Sequence, residues 1–133
     1  PIFTPHHGEL SRLLSISLGE LKEKLVNHLE GFTSSYPSVL IAKQPSSIIV
    51  HNIYGYINTS GNPGLATAGT GDVLSGMVTA FIAQGYNLVE SSCISTYIHG
   101  YVADKISKKI SERGLIASDL LLEIANSMSR YES

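Results

Sequence analysis

A glycine-rich segment that ends in an acidic residue is the part of this 133-residue chain best suited to chemistry. Residues 58–76 read Asn-Thr-Ser-Gly-Asn-Pro-Gly-Leu-Ala-Thr-Ala-Gly-Thr-Gly-Asp-Val-Leu-Ser-Gly, and the pattern predicts an apolar helix from the acidic residue onward. Glycines let the backbone turn its N–H groups inward, and a helix start adds unpaired donors and the positive end of the helix dipole. The sequence therefore predicts an anion hole formed by Ala68, Gly69, Thr70 and Gly71.

Asp72 is the predicted catalytic residue of this segment. A carboxylate among such donors would repel a resting phosphate unless a metal ion or a substrate hydroxyl lay between them, so removing the proton of that hydroxyl is the favoured role. Phosphoryl chemistry is the resulting prediction. Two simpler interpretations stay open, namely a plain connection before a helix and an acid that complements the helix dipole. The wider string, in which Asn58 and Asn62 accompany the glycines, favours the functional interpretation.

Three segments resemble one known family, and they occur in the order that the family requires. Residues 62–76 resemble the signature of the NAD(P)H-hydrate dehydratases, which belong to the ribokinase-like superfamily. Residues 4–9, Thr-Pro-His-His-Gly-Glu, resemble that family's Thr-Pro-His-Pro-Gly-Glu, and residues 39–43 resemble its strand that ends in Lys-Gly. The resemblance extends from Phe3 to about Asp119 and corresponds to the C-terminal half of such a domain.

The resemblance implies a fold and a reaction. The fold would be α/β, the C-terminal part of a ribokinase-like three-layer α/β/α domain, with residues 1–133 as a single partial domain whose N-terminal half is absent. The chain also opens on Pro1 rather than methionine, so a fragment, a cleaved chain or a missing half is expected. The reaction would be phosphorylation of the C6 hydroxyl of hydrated NADH or NADPH by ADP or ATP with Mg²⁺, followed by loss of phosphate. The choice of nucleotide and the metal ligands stay open.

The resemblance also implies roles for individual residues. His6, Glu9 and Asp72 would contact the hydrated nicotinamide nucleotide. The adenine nucleotide would be bound by Gly71 and by the segment Lys43, Gln44, Pro45, Ser46 and Ser47. On sequence grounds alone, His6 is a turn histidine, Glu9 is an acid in the first turn of a helix, and Lys43 is a solvated residue at a strand end.

The chain departs from the family pattern at three positions in these segments. His7 and Gln44 replace a proline and a glycine, and Ser47 replaces a threonine but keeps the hydroxyl. These departures and the absent half keep open a non-catalytic nucleotide-binding half-domain. A small-molecule kinase of the same superfamily, acting on a vitamin precursor or a sugar, is a second alternative, because such kinases use the same anion hole and aspartate.

Composition narrows the setting. The net charge of −2 and the absence of a basic cluster argue against a nucleic-acid partner, and Lys105, Lys108, Lys109 and Arg113 are interpreted as one solvated helix face. Cys93 is the single cysteine, which excludes a disulfide framework and agrees with a reducing compartment. No apolar run approaches the roughly 18 residues of a membrane span, so a cytoplasmic protein without a membrane partner is predicted.

Hydrophobic spacing predicts the elements that position the site. A strand at Ile2–Phe3 is followed by a loop over residues 6–9, an amphipathic helix over residues 18–32, and strands at residues 38–42, 48–51 and 54–58. Helices are predicted over residues 72–84, capped by Gly85, over residues 88–111, and from Asp119 to about residue 128 with Ser118 as the cap. His99 and Gly100 are predicted to be a packing position that admits another backbone. An exposed sheet edge predicts a homo-oligomer or a second chain.

Overall fold

The computed structural model describes residues 1–129 and contains one four-stranded mixed sheet. Strands β1 (Ile2–Phe3), β2 (Val39–Ala42), β3 (Ile48–His51) and β4 (Tyr54–Ile57) lie side by side in chain order. The first pair is parallel and the other two pairs are antiparallel. The meander predicted from the short β-branched runs is therefore confirmed, and the parallel pair requires a crossover, which the first three helices provide.

Three layers follow from the alternation of side chains along β2. Leu40 and Ala42 pack on one face with buried leucines of α1 (His7–Leu14), α2 (Leu18–Glu23) and α3 (Leu25–Ser35). Val39 and Ile41 pack on the other face with Leu74 and Val78 of α4 (Thr70–Ala83). Successive side chains of a strand point to opposite faces, so a fully apolar β2 is covered by helices on both sides. The predicted α/β/α layering is confirmed.

The helices of the second half form a core of their own. Helix α5 (Leu88–Ser107) and helix α6 (Ala117–Met128) pack with α4 around Phe81, Ile98, Val102, Leu115 and Leu120. Short 3₁₀ turns at Pro63–Ala66 and Glu112–Gly114 connect the layers. None of the described helices has the length and apolar character needed to cross a bilayer.

Several predicted boundaries are wrong. His6 is the N-cap of α1, so residues 7–9 are helical rather than a loop beyond a strand. The single helix predicted over residues 18–32 is two helices that meet at Lys24. Helix α4 begins at Thr70 instead of Asp72, and α5 ends at Ser107 instead of residue 111. The spacing of apolar residues does not reveal an N-cap or a one-residue break in a helix, because the apolar face continues across both.

The start of α6 differs from the prediction as well. The helix begins at Ala117, and the carboxylate of Asp119 accepts a hydrogen bond from the amide of Ile116 at 3.0 Å. Ser118 therefore lies inside the first turn and does not cap it. The start of the helix is instead held by the acidic residue, which accepts a hydrogen bond from the amide of the residue that precedes the helix.

One close contact fixes the loop after β4 against α5. A Cβ on Gly100 would lie 2.3 Å from the hydroxyl of Ser60 and 2.6 Å from its carbonyl carbon, so only glycine fits there. The carboxylate of Asp104 accepts hydrogen bonds from the Gly61 amide at 2.8 Å and from the Asn62 side chain at 2.9 Å. The predicted backbone approach at Gly100 is confirmed, and it holds the glycine-rich segment on the helix behind it.

Candidate functional site

A cavity of about 480 Å³ lies where the ends of β1 and β2 meet the glycine-rich segment and the start of α4. Seven of the predicted site residues line it, namely His6, Lys43, Gln44, Pro45, Ser47, Thr70 and Gly71. The remaining wall is made by the loop after β4, the first 3₁₀ turn and α5, including Asn58, Asn62, Leu65, Thr96 and His99. The structure thus brings the nucleotide segment and the glycine-rich segment to one cavity.

The backbone at the start of α4 is arranged as an open set of donors. Gly69 has a positive φ of 86°, and the amides of Ala68, Gly69 and Gly71 have no hydrogen-bond partner within residues 1–129. The amide of Thr70 is different because it donates to the carbonyl of Thr67 at 3.3 Å. In this conformation the predicted anion hole has three open amides rather than four. Open amides at a helix N-terminus are the arrangement that binds phosphate.

Thr70 instead holds the loop together. Its hydroxyl donates to the carbonyl of Leu65 at 2.6 Å and lies 2.8 Å from that of Thr67. The side chain is buried, so these bonds are shielded from water. Thr70 therefore fixes the turn that presents the neighbouring amides.

Lys43 brings a positive charge to the same place. A Cβ on Gly71 would stand 3.0 Å from the ammonium nitrogen, which therefore lies beside the first turn of α4. The backbone of Lys43 is held in turn, because its amide donates to the carbonyl of Pro5 at 3.0 Å. An ammonium next to the positive end of a helix dipole is unfavourable without an anion and favourable with one. The pair is therefore suited to a phosphate group.

Asp72 lies at the edge of this arrangement and not in the cavity wall. Its amide donates to the carbonyl of Gly69 at 3.1 Å, which fixes the backbone of the first turn. Its carboxylate is exposed and makes no hydrogen bond or ion pair with the described residues. A free carboxylate next to open amides is able to accept a proton from a hydroxyl that binds there, so its catalytic role stays a prediction.

His6 and Glu9 are occupied with each other at the start of α1. The His6 Nδ1 accepts hydrogen bonds from the amides of Gly8 at 3.1 Å and Glu9 at 3.3 Å, which places the proton of the neutral ring on Nε2. The Glu9 carboxylate accepts from the His6 amide at 2.9 Å and lies 3.3 Å from Nε2. The backbone bond from His6 is the main cause that lowers the pKa of Glu9. Glu9 does not line the cavity, and the substrate roles of both residues stay predictions.

The two residues that depart most from the family pattern contact each other. The His7 Nε2 lies 3.1 Å from the side-chain oxygen of Gln44, and the Gln44 amide nitrogen donates to the carbonyl of Ser46 at 2.8 Å. The side-chain oxygen of Gln44 can only accept, so His7 is the donor in the first contact. The side chain of Gln44 thus links the first turn of α1 to the nucleotide segment. Ser46 itself does not line the cavity.

His99 is a cavity residue whose place in the site sequence reasoning missed. It is 6% exposed, and its Nε2 lies 2.8 Å from the carbonyl oxygen of Thr70. Burial lowers the pKa of His99, and the charge of Lys43 acts in the same direction. The signal available in the sequence was a histidine in the apolar stripe of α5, a position that chain spacing alone cannot connect to a loop 29 residues away.

The described residues do not form a site for Mg²⁺. No group of three His, Cys, Asp or Glu side chains in residues 1–129 is placed to hold a metal ion. The oxygens of Asn58 and Asn62 on the cavity wall already accept hydrogen bonds from Ser60 and Gly64. Mg²⁺ in nucleotide sites usually keeps several waters and is held largely by phosphate oxygens, so these residues do not fit a protein cage for the metal.

Comparison with known proteins decides the family. A family model described as NAD(P)H-hydrate dehydratase (Carb_kinase) matches residues 1–126, nearly the whole chain. The chain belongs to this family. The dehydratase resemblance carried by three separate segments of the sequence is therefore confirmed. The cavity lies where these three segments meet.

Relatives named for nicotinamide hydrate repair match over most of the chain. The bifunctional NAD(P)H-hydrate repair enzyme Nnr of Coxiella burnetii is 38% identical over 120 residues, which cover 90% of this chain and 25% of that one. The ADP-dependent (S)-NAD(P)H-hydrate dehydratase of Lactococcus lactis is 32% identical over 133 residues, covering 98% and 46%. This chain therefore spans between a quarter and a half of the length of these dehydratase relatives.

The architecture agrees with a solved structure of the same family. The ADP/ATP-dependent NAD(P)H-hydrate dehydratase of Bacillus subtilis, co-crystallised with ATP/Mg²⁺, matches with a TM-score of 0.91 and 26% identity. The match covers 98% of this chain and 47% of that one. The described α/β/α layers therefore correspond to about half of that dehydratase.

Proposed function

We propose that this chain supplies the phosphoryl-binding half of an ADP- or ATP-dependent NAD(P)H-hydrate dehydratase. The observation that carries the proposal is the conjunction at the start of α4. The open amide of Gly71 lies beside the Lys43 ammonium, the open amides of Ala68 and Gly69 precede it in the same turn, and the free carboxylate of Asp72 follows directly in the chain. Phosphoryl transfer needs little more from a protein than donors for the migrating group and a base for the acceptor hydroxyl. The family of the chain gives the acceptor as a hydrated nicotinamide nucleotide.

The reaction follows from these positions. Asp72 accepts the proton of the C6 hydroxyl while the hydroxyl oxygen attacks the terminal phosphorus of the nucleotide, and the shortened nucleotide leaves. The amides of Ala68, Gly69 and Gly71 stabilise the charge on the phosphoryl oxygens during transfer. The ring nitrogen then expels phosphate from C6, and loss of the C5 proton restores the dihydropyridine. The net change is dehydration of the ring and hydrolysis of one phosphate bond, a carbon–oxygen lyase reaction driven by nucleotide.

The nucleotide is assigned to the strip that begins at Lys43. Lys43 is the first residue of the nucleotide segment, and its ammonium lies beside the start of α4. Its charge therefore reaches a phosphate bound at the segment or at the helix start. Gln44, Pro45, Ser46 and Ser47 supply backbone and hydroxyl groups for the adenylate part. Mg²⁺ would arrive with the phosphates, and no step of the reaction is assigned to it. His6 pairs with Lys43 in an isolated β-bridge and Glu9 is bonded to His6, and both are proposed to contact the hydrate after their mutual hydrogen bonds rearrange.

Two features suggest that the site is completed by additional polypeptide. The carboxylate of Asp72 is open to solvent, and residues 1–133 are proposed to be a single partial domain whose N-terminal half closes the cavity.

Strand β4 exposes Tyr54 and Ile57 at a sheet edge that carries no charge over residues 53–57. Such an edge is suited to pairing with another copy, so a homo-oligomer is proposed. The lone Cys93 agrees with a cytoplasmic setting.

The test is repair of hydrated NADH by the full-length gene product. Incubation with ADP or ATP should restore dihydronicotinamide absorbance with release of phosphate, and Asp72→Asn should remove nearly all turnover while folding is kept. Asp119→Asn is the matched control, because this residue occupies the same first-turn position in α6 and lies outside the cavity. A stable phosphorylated vitamin precursor instead of repair would indicate a kinase. Nucleotide binding without any turnover would indicate a non-catalytic half-domain.

A further inference from the structure

The first turn of α4 accepts a hydrogen bond from a histidine that lies outside the three segments that resemble the dehydratase family. The His99 Nε2 lies 2.8 Å from the carbonyl oxygen of Thr70, and both residues are buried. A carbonyl oxygen only accepts, so the ring proton is on Nε2. His99 belongs to α5 and Thr70 to α4, so the bond ties together two elements that build the cavity wall.

The carbonyl that His99 holds shares its peptide group with a predicted anion-hole donor. The Thr70 carbonyl and the Gly71 N–H form one planar trans unit, in which they point in opposite directions. Fixing the carbonyl therefore fixes the direction of the Gly71 N–H, which has no partner among the described residues. Hydrogen bonds in a chain also polarise one another, so a carbonyl that accepts from His99 makes the attached N–H a better donor.

We propose that His99 is a positioning residue that aims and strengthens the Gly71 N–H toward the terminal phosphoryl group of a nucleoside diphosphate or triphosphate. The inference rests on the proposed function for the identity of the ligand. His99 acts through the peptide group and does not itself contact the nucleotide. Burial keeps the ring neutral, since it lowers the pKa of His99 and the nearby Lys43 ammonium lowers it further. The bond to Thr70 requires a proton on Nε2 and by itself raises the pKa of His99, but burial is the larger effect, so the donor is the neutral ring with its proton on Nε2.

A simpler role for His99 is to fill space between α4 and α5. The two roles predict different effects of replacing His99 on the binding of the two phosphates of ADP. A packing defect would weaken the binding of AMP and ADP alike, because it would loosen the whole cavity. Loss of the aimed donor would weaken only the contribution of the terminal phosphate, which AMP lacks.

The experiment compares AMP and ADP affinities by calorimetry in the full-length protein without hydrated substrate. In His99→Phe, which keeps volume but lacks the donor, ADP affinity should fall about tenfold and AMP affinity should change less than about twofold, as expected for one charge-assisted hydrogen bond. His99→Gln restores a side-chain N–H and should recover most of the loss. Ser92→Ala is the control, because Ser92 is buried on the same helix, lies outside the cavity, and its hydroxyl bonds only to the carbonyl of Leu88.

A second measurement needs no variant. Nitrogen-15 NMR of the wild-type protein should show a neutral His99 ring protonated on Nε2, and the Gly71 amide proton should move downfield with ADP and not with AMP. A ring protonated on Nδ1, an unmoved Gly71 amide, or equal losses of AMP and ADP affinity in His99→Phe would each overturn the proposal. These readouts concern binding alone. If they hold and hydrated NADH is not repaired, the positioning role stands and the proposed reaction falls.

Discussion

The ammonium nitrogen of Lys43 lies beside Gly71, so close that a Cβ on Gly71 would stand 3.0 Å from it. This contact joins the end of β2 to the first turn of α4, two segments that the family pattern assigns to nucleotide binding. It also places two positive charges together, since the N-terminus of α4 carries a partial positive charge and the ammonium a full one. The arrangement costs stability in the free protein and gains it when an anion binds between the two.

Lys43→Met should therefore have opposite effects on stability and on binding. Removing the ammonium relieves its repulsion with the helix start, so the free energy of unfolding without ligand should rise by about 0.3–1 kcal/mol. ADP affinity should fall at least tenfold, because one charge-assisted contact to phosphate is lost. Urea unfolding and calorimetry measure the two quantities. Lys108→Met, at the end of α5, should lower stability slightly and leave affinity unchanged; a Lys43 variant that behaves in this way would contradict the prediction.

Gly71→Ala should separate folding from nucleotide binding. The new methyl group meets only the flexible end of Lys43, and alanine has a higher helix propensity than glycine by about 1 kcal/mol, so stability should be kept or increased. The ammonium would have to move away, and ADP affinity should fall. Gly76→Ala is a matched control in the same helix, where a Cβ meets nothing within 4 Å. Both variants should fold at least as stably as the wild type, and only the first should lose affinity.

Gly100→Ala should damage the fold and the cavity together. Its Cβ would lie 2.6 Å from the carbonyl carbon and 2.7 Å from the carbonyl oxygen of Ser60, and backbone atoms cannot move aside as a side-chain end can. Overpacking of this kind costs about 1–3 kcal/mol. Thermal unfolding should show the loss, whereas Gly31→Ala, a helix position with nothing within 4 Å, should be neutral or stabilising. An unchanged melting temperature in Gly100→Ala would mean that the loop after β4 is not held against α5.

Glu123 should give the protein part of its acid sensitivity. Lys105 of α5 donates a hydrogen bond to the buried carboxylate of Glu123 on α6, and this bond is the main cause that lowers the pKa of Glu123. A carboxyl whose folded pKa is lowered stabilises the fold above its ordinary pKa of about 4.3 and loses that contribution as the pH falls through the folded value. Glu123→Gln should be about 1–3 kcal/mol less stable at pH 7.

The same variant should also flatten the decline of stability below pH 5. Denaturant unfolding between pH 3 and pH 7 tests both effects. Glu30→Gln on α3 is the control, because Glu30 is exposed and its side chain has no partner among the described residues, so it should follow the wild-type curve. Parallel curves for Glu123→Gln and the wild type would show that the ion pair does not couple to the pH dependence.

Local pattern was sufficient for most of the fold. The short β-branched and apolar runs at residues 39–42 and 48–51 located the strands, and the apolar residues between positions 73 and 82 located α4. The starts of α2 and α5 were located correctly, whereas those of α1, α4 and α6 were missed. His6 is the clearest case, because a histidine that accepts two backbone bonds through Nδ1 is a rare cap that propensity does not favour.

The site was predicted only in part, because local sequence features locate some of its residues and not the contacts between distant ones. Glycine spacing and a following acid are local features, and they located the open amides at residues 68, 69 and 71. The bond from His99 to Thr70, the support of Gly61 by Asp104 and the contact between His7 and Gln44 each join residues more than 25 positions apart. Such pairs depend on how helices and strands stack, which one sequence without a fold does not specify.

The cavity wall is assembled from segments that the unfolded chain holds far apart, from His6 at one end to His99 at the other. Whatever occupies it is bound by the folded state alone and so protects the protein against heat. At a concentration one hundred times its dissociation constant, an occupant would add about 2.7 kcal/mol to the free energy of unfolding. A melting curve recorded across a panel of nucleotides and pyridine dinucleotides would therefore rank the true occupants before any turnover is measured.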